Sequence, residues 1–368
     1  MKRLIVCCDG TWNKPEQLNN GLLAPTNVSK LALAIAREDD QGTKQIVHYQ
    51  RGVGTRAWEK LRGGALGAGL SRNVRDCYAF LVESYEPGDQ LFFFGFSRGA
   101  FTARSLGGLV RNSGILLSHH RARIDDAYRL YRSPDKNSEP GGLEASMFRR
   151  LYAHELPDIE FVGVWDTVGA LGIPAGPFLP AALAKRWSFH NTELSSHVRH
   201  AYHAIAIDER RAIFEPALWI QQPDAPAHQK LEQVWFAGAH CDIGGGYGDT
   251  GLSDIALLWM VGKAKAAGLA LDPQRLVETD PADENQRRAG VQVCPRYGKK
   301  PADSMTTFYR LLGVLDRKLS DKKGTRVDGL GVASSAGRLF RGGGYDPPGL
   351  REYVDGAEPR IVPVAEGR

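Results

Sequence analysis

Gly95-Phe96-Ser97-Arg98-Gly99 sets a serine between two glycines, after the apolar run Leu91–Phe94 and before a helical spacing that opens Ala100-Phe101-Thr102. A G-x-S-x-G pattern between strand and helix lifts the serine hydroxyl onto a tight, strained turn where a base can reach it. A serine is a poor nucleophile until a base takes its proton, so the chemistry on offer is acyl transfer through a covalent intermediate. Ser97 is the nucleophile candidate, and a tight turn with only a structural purpose is the competing reading.

The base and acid follow from chain order, which in this arrangement runs serine, acid, histidine, each after a strand. Among ten histidines, His48 precedes the serine, and His119 and His120 lie in a polar stretch. His190, His197, His200 and His203 fall in or beside an apolar insertion. His240 directly follows the apolar run ending Phe236-Ala237-Gly238 and precedes Cys241-Asp242 and three glycines. It is the base candidate, with a buried strand-end histidine as the alternative. Two aspartates end strands between serine and histidine. Asp166 follows FVGVW, and Asp208 follows AIAI but precedes Glu209-Arg210-Arg211, which could neutralise it. Asp166 is therefore the expected acid and Asp208 the alternative.

An oxyanion formed at the substrate carbonyl needs backbone N–H donors, one from the residue after the nucleophile and one from another strand's loop. Arg98 supplies the first. The loop Asp9-Gly10-Thr11-Trp12 supplies the second through Gly10 or Thr11, unless Asp9 serves only to anchor that loop. Rival chemistries fail on single positions. A phosphatase opening D-x-D-G-T needs an aspartate where Cys7 stands. The run Gly63–Gly69 lacks the preceding strand and following Lys-Ser/Thr of a phosphate cradle and reads as a flexible or closely packed turn. Asp242, Asp249 and Asp254 fit no calcium-loop spacing and read as caps and turn residues. No metal or organic cofactor is called for.

These residues require a scaffold that brings strand ends together. Apolar runs Leu4–Cys8, Gln45–Tyr49, Gln90–Phe94, Ile159–Trp165, Ala201–Ile207 and Gln233–Gly238 alternate with helical spacing at Asn27–Arg37, Arg72–Tyr85 and Ser97–Asn112. Alternation of this kind builds an α/β fold on a mostly parallel sheet with helices on both faces. Residues 1–270 are expected to form the catalytic domain, and 271–368, with one helical segment near Met305–Leu319, an extension packed on it. The apolar, proline-rich Leu171–His200 reads equally as a lid for a lipid chain and as a segment packed on the sheet.

Composition excludes several classes. The 368 residues are 42% hydrophobic and 24% charged, in the range of ordinary globular chains. A net charge of +5 is mild, and scattered arginines and lysines argue against nucleic acid as a partner. The opening MKRLIVCCDG has too short an apolar stretch for a signal peptide, and no run reaches a membrane span, so a cytoplasmic protein is expected. Five cysteines with no CxxC spacing indicate neither a disulfide framework nor a zinc site.

CCDGTWN, TNVSKL, YQRGVGT, GALGAGL, NVRDCYAFLVESYEPGDQLFFFGFSRGAFTARSL, VWDTVGALG, AIAIDERR and FAGAHCDIGGGY occur in this order over residues 1–270. Together they resemble the uncharacterised α/β-hydrolase domain family that includes the type VI secretion phospholipase effectors. The resemblance implies an α/β-hydrolase fold, a triad on Ser97, Asp166 and His240, and lipid or other carboxyl-ester substrates. In the effector branch it implies phospholipase A activity, with which peripheral membrane contact is compatible; export by a secretion system has no support in the sequence itself. Motifs and resemblance together predict a serine ester hydrolase of lipase, phospholipase or esterase type. An acyltransferase or thioesterase with the same triad, or a silent binding module, is the alternative.

Overall fold

The computed structural model describes residues 1–368 except 12, 14–17, 20–21, 54–64, 170–192, 280–290, 312, 320–328, 357–358 and 365–368. Eight of its strands form one sheet: β1 Arg3–Cys8, β2 Gln45–Gln50, β3 Gln90–Phe96, β4 Ile159–Trp165, β5 Val198–Ala206, β6 Lys230–Phe236, β7 Leu330–Ala333 and β8 Ile361–Val362. Their order is β8-β7-β6-β5-β4-β3-β1-β2, and every neighbouring pair is parallel. The α-helices among the described residues are α1 Asn27–Ala34, α2 Ala65–Ser84, α3 Arg98–Ser113, α4 Ile124–Arg132, α5 Leu143–Tyr152, α6 His240–Gly244, α7 Gly251–Ala266, α8 Thr307–Leu311, α9 Ser334–Arg341 and α10 Pro348–Val354.

Continuously apolar strands pack this way because a parallel sheet needs crossovers that cover both faces. Alternate residues serve alternate faces. Ile5, Phe92, Phe94 and Phe161 meet α1 and α7 through Val28, Leu31, Leu252 and Ile255. Leu4, Val6, Leu91 and Phe93 meet α2 and α3 through Val74, Cys77, Ala103 and Leu106. The fold is an α/β sandwich, a parallel sheet with helices on both faces. From β1 the chain steps outward to β2 and then returns to β3 on the other side of β1. Such a reversal opens a crevice at the carboxyl ends of the strands, where ligands bind in open α/β sheets. Ser97 directly follows β3 at that reversal.

Three expectations change. The glycine-rich stretch read as a turn is helical from Ala65 onward, where Gly69 lets α2 approach Val53: a Cβ there would stand 3.2 Å from Val53 Cγ1. The helix expected over Met305–Leu319 contracts to α8, ending before Gly313 at φ +109°, and the chain beyond it turns Arg317 into the core. The sheet also continues past residue 270. Leu330 and Val332 of β7 pack with Ile205 and Trp235, so β7 and β8 extend the sheet with strands from beyond residue 270. Most of the lid segment, residues 171–192, lies outside the described residues. Beyond it, Glu193–Leu194 pairs with Ile220–Gln221, and Val198 opens β5.

Candidate active site

Ser97 has φ 59° and ψ −123°, and with Asp166 it is one of two described non-glycine residues at positive φ. Strain of this kind persists only where surrounding structure enforces it. The enforcing contacts are backbone on backbone. A Cβ on Gly95 would meet Gly99 O at 2.5 Å, and one on Gly99 would meet Cys8 O at 2.2 Å and Asp9 O at 2.4 Å. Both glycines are thus required for β1, β3 and α3 to converge. The Ser97 N–H donates to Trp165 O at 3.0 Å, which ties the turn to β4.

Asp166 leaves the end of β4 at φ 38°, fully buried, with its N–H donating to Ala204 O at 2.7 Å. Its Oδ2 lies 2.6 Å from His240 Nδ1. His240 opens α6 just after β6, and its own N–H donates to Glu209 Oε2 at 3.2 Å. Phe96 and Phe214 flank the imidazole, with ring centroids at 4.6 and 4.8 Å. Because Phe96 immediately precedes Ser97, this stack brings the serine turn and the Asp166–His240 pair to one end of the sheet.

The pair is charged asymmetrically. Burial opposes ionisation of Asp166, but the Arg317 charge and the His240 hydrogen bond outweigh it and hold the carboxyl well below its ordinary range. Burial lowers the basicity of His240, and Asp166 and Glu209 offset only part of that loss. Arg317 Nη1 donates to Asp166 Oδ1 at 2.6 Å, and Nη2 donates to Oδ2 at 3.1 Å. Neutralisation by arginine was the ground for setting Asp208 aside, yet it is Asp166 that an arginine neutralises. That arginine comes from a segment read as helix. No motif marks Arg317; a single arginine in a helical pattern carries no sequence signal.

Asp208 does not reach His240. Its carboxylate accepts from Gly238 N–H at 2.7 Å and Tyr345 O–H at 2.8 Å, while Glu209 takes Arg211 and Arg210 pairs with Asp316. Asp208 thus braces the β5 and β6 ends together. His203, on β5, is fully buried, and its Nε2 accepts the Thr167 N–H at 3.1 Å. Burial, reinforced by the Arg104 charge, pushes its pKa down to about 3.

The loop after β1 is pinned by Asp9, which accepts from Gly10 N–H at 2.7 Å, from Thr26 Oγ1 at 2.9 Å and from the Tyr49 hydroxyl. Burial raises the Asp9 carboxyl to about 6 despite these donors. The Gly10 N–H is thereby committed to Asp9. Thr11 is buried, and its backbone N–H has no hydrogen-bond acceptor among the described residues. Arg98 follows Ser97 as the first residue of α3. Gly10 itself lies against Phe96, where a Cβ would stand only 3.1 Å from Phe96 Cδ1, so the loop faces the serine turn.

Asp242 caps α6 through Ala239 N–H, Asp249 accepts from Gly251 N–H, and Asp254 pairs with Lys30 at 2.5 Å. Among the described residues, no group of three or more His, Cys, Asp or Glu side chains could hold a metal ion. No described helix is long and apolar enough to cross a membrane.

The family described as "T6SS, Phospholipase effector Tle1-like, catalytic domain" matches residues 2–263. The uncharacterized protein YEL023C of Saccharomyces cerevisiae is 28% identical over 246 residues, covering 61% of this chain and 34% of the yeast protein. The crystal structure of an uncharacterized protein from Pseudomonas aeruginosa aligns at TM-score 0.41 and 19% identity, over 74% of this chain and 46% of that one. The Tle1 effector bound to the VgrG spike of the type 6 secretion system aligns at TM-score 0.33 and 18% identity, over 67% of this chain and 51% of that one. The chain spans between 34% and 51% of the length of these relatives. With the match running from β1 into α7 and taking in Ser97, Asp166 and His240, the chain belongs to the Tle1-like phospholipase effector family, in its catalytic domain.

Proposed function

We propose that this chain hydrolyses acyl esters of lipids, with Ser97 as nucleophile, His240 as general base and acid, and Asp166 as the carboxylate that orients His240. The observation carrying this reading is the enforced positive-φ serine turn at the sheet's switch point, beside a buried Asp–His pair at 2.6 Å. Membership of a phospholipase effector family supports lipid esters as the substrate class.

In acylation, Ser97 Oγ bonds to the ester carbonyl carbon while its proton passes to His240 Nε2. The carbonyl oxygen becomes an oxyanion held by the N–H groups of Arg98 and Thr11, the donor that Asp9 leaves uncommitted. Collapse of the tetrahedral intermediate breaks the ester C–O bond, and the departing alcohol takes the proton from His240. Water then gives a proton to His240, attacks the acyl-enzyme and releases the fatty acid, and the proton returns to Ser97. Asp166 stays ionised throughout and holds Nδ1–H, so that Nε2 is the nitrogen free to accept.

Fatty-acid release from phospholipid–detergent micelles tests this directly. The full chain is expected to release fatty acid and lysophospholipid, and Ser97→Ala to release neither. Release that persists in Ser97→Ala, or products cleaved at the phosphate, would overturn the assignment.

A further inference from the structure

We infer that Arg317 is a positioning residue for the catalytic pair, a buried guanidinium fork that fixes the Asp166 carboxylate toward His240 from beyond the family-matched span. The inference rests on the roles proposed above for Ser97, Asp166 and His240. Asp166 Oδ1 accepts from Ala206 N–H at 3.0 Å and Arg317 Nη1 at 2.6 Å, while Oδ2 accepts from Arg317 Nη2 at 3.1 Å and His240 Nδ1 at 2.6 Å. Two donors on each oxygen leave the carboxylate no rotation that keeps its partners. Arg317 is itself held by Ala206 O at 2.7 Å and Phe214 O at 2.5 Å, and its side chain is 1% exposed. A fork of two parallel N–H donors sets a carboxylate plane in a way that a lysine ammonium does not.

The fork also shapes the charge felt by the imidazole. With Arg317 present, Asp166 and Arg317 sum to zero, so a proton added to His240 leaves the buried trio positive. Around the pair stand the Glu209–Arg211 ion pair at 2.7 Å, Asp208, whose carboxylate feels the Arg317 charge, neutral His203 with the Arg104 charge beside it, and the Cys241 thiol, which burial pushes up to about 12. Removing the Arg317 charge leaves an uncompensated carboxylate facing His240, which favours imidazolium. The acid limb of kcat/KM must then move to higher pH.

The test uses Arg317→Lys and Arg317→Met in the full chain, with kcat, KM and their pH dependence, plus NMR titration of labelled histidine in a Ser97→Ala background. Both variants are expected to lose kcat, by up to on the order of 10²-fold, with KM little changed. Arg317→Met moves the acid limb and the His240 titration upward by roughly one pH unit or more. Arg317→Lys, which keeps the charge and loses the fork, leaves both near wild type. Wild-type kcat in Arg317→Lys overturns the positioning role, as does an unmoved His240 titration in Arg317→Met. If Arg317→Met does not fold, Arg317→Lys decides alone: lower kcat at an unmoved acid limb supports the inference, and wild-type kcat overturns it. The titration requires no turnover, so an inactive wild-type chain would sink the hydrolase reading while Arg317 was still being tested.

Discussion

Burial leaves His240 less basic than a histidine in water, because its charged form loses solvation that Asp166 and Glu209 only partly restore. A general base must be unprotonated, so activity is present above the His240 titration and is lost as falling pH protonates it. The acid limb of kcat/KM is therefore expected below the ordinary histidine value of about 6.5. A limb above that value would contradict the assignment of His240. Asp166→Asn should cost on the order of 10⁴-fold in kcat, because an amide beside Nδ1 favours the wrong tautomer. A loss confined to stability would argue that Asp166 only braces the fold. His203 makes a separate prediction. Its folded pKa is about 3, and the unfolded chain titrates it near 6.5. Between those values the unfolded chain holds the extra proton, so stability falls as pH drops through the window. Urea midpoints for wild type should decline between neutral and mildly acidic pH, and His203→Gln should decline less.

The strand–turn–helix unit around Ser97 explains why the serine could be found from sequence. Gly95 and Gly99 are demanded by contacts with Ala100, Cys8 and Asp9, so their spacing around the serine is a direct trace of backbone crowding. Gly99→Ala would press a Cβ onto two carbonyl oxygens of β1 and its loop and should cost about 3 kcal/mol or more. A thermal or urea melt checks this, and a melt like that of wild type would mean the turn relaxes without strain. Strands were legible for a similar reason, since runs such as LFFF have to bury both faces. Less legible was anything set by long-range pairing. Asp208 and Asp166 both end strands before the histidine, and what separates them is which one the folded chain turns onto His240 and onto Arg317, more than a hundred residues away. The glycine-rich stretch leading into α2 reads as a turn because glycines weaken helical propensity; its close packing, expected from the glycines, is what Gly69 serves against Val53, but from within a helix.

At the scale of the whole chain, β7 and β8 continue the sheet at one edge and Arg317 reaches its catalytic end, so residues on both sides of position 270 share one sheet and one site. That continuity was hidden because β7 and β8 are short, four and two residues, and carry no periodic pattern. A chain ending at residue 270 would expose Trp235 and Ile205 and leave Asp166 without its arginine. It is expected to lack a cooperative melt; a stable, cooperative fragment would show the tail to be dispensable for folding. Activation of Ser97 by His240 is the claim on which everything else depends. Its most direct test is fluorophosphonate labelling of the intact protein read by mass, comparing wild type, Ser97→Ala and His240→Ala. One adduct on the wild type, absent from Ser97→Ala and strongly diminished in His240→Ala, is the predicted result. An adduct that survives in Ser97→Ala, or none on folded wild type with detergent micelles present, would contradict it.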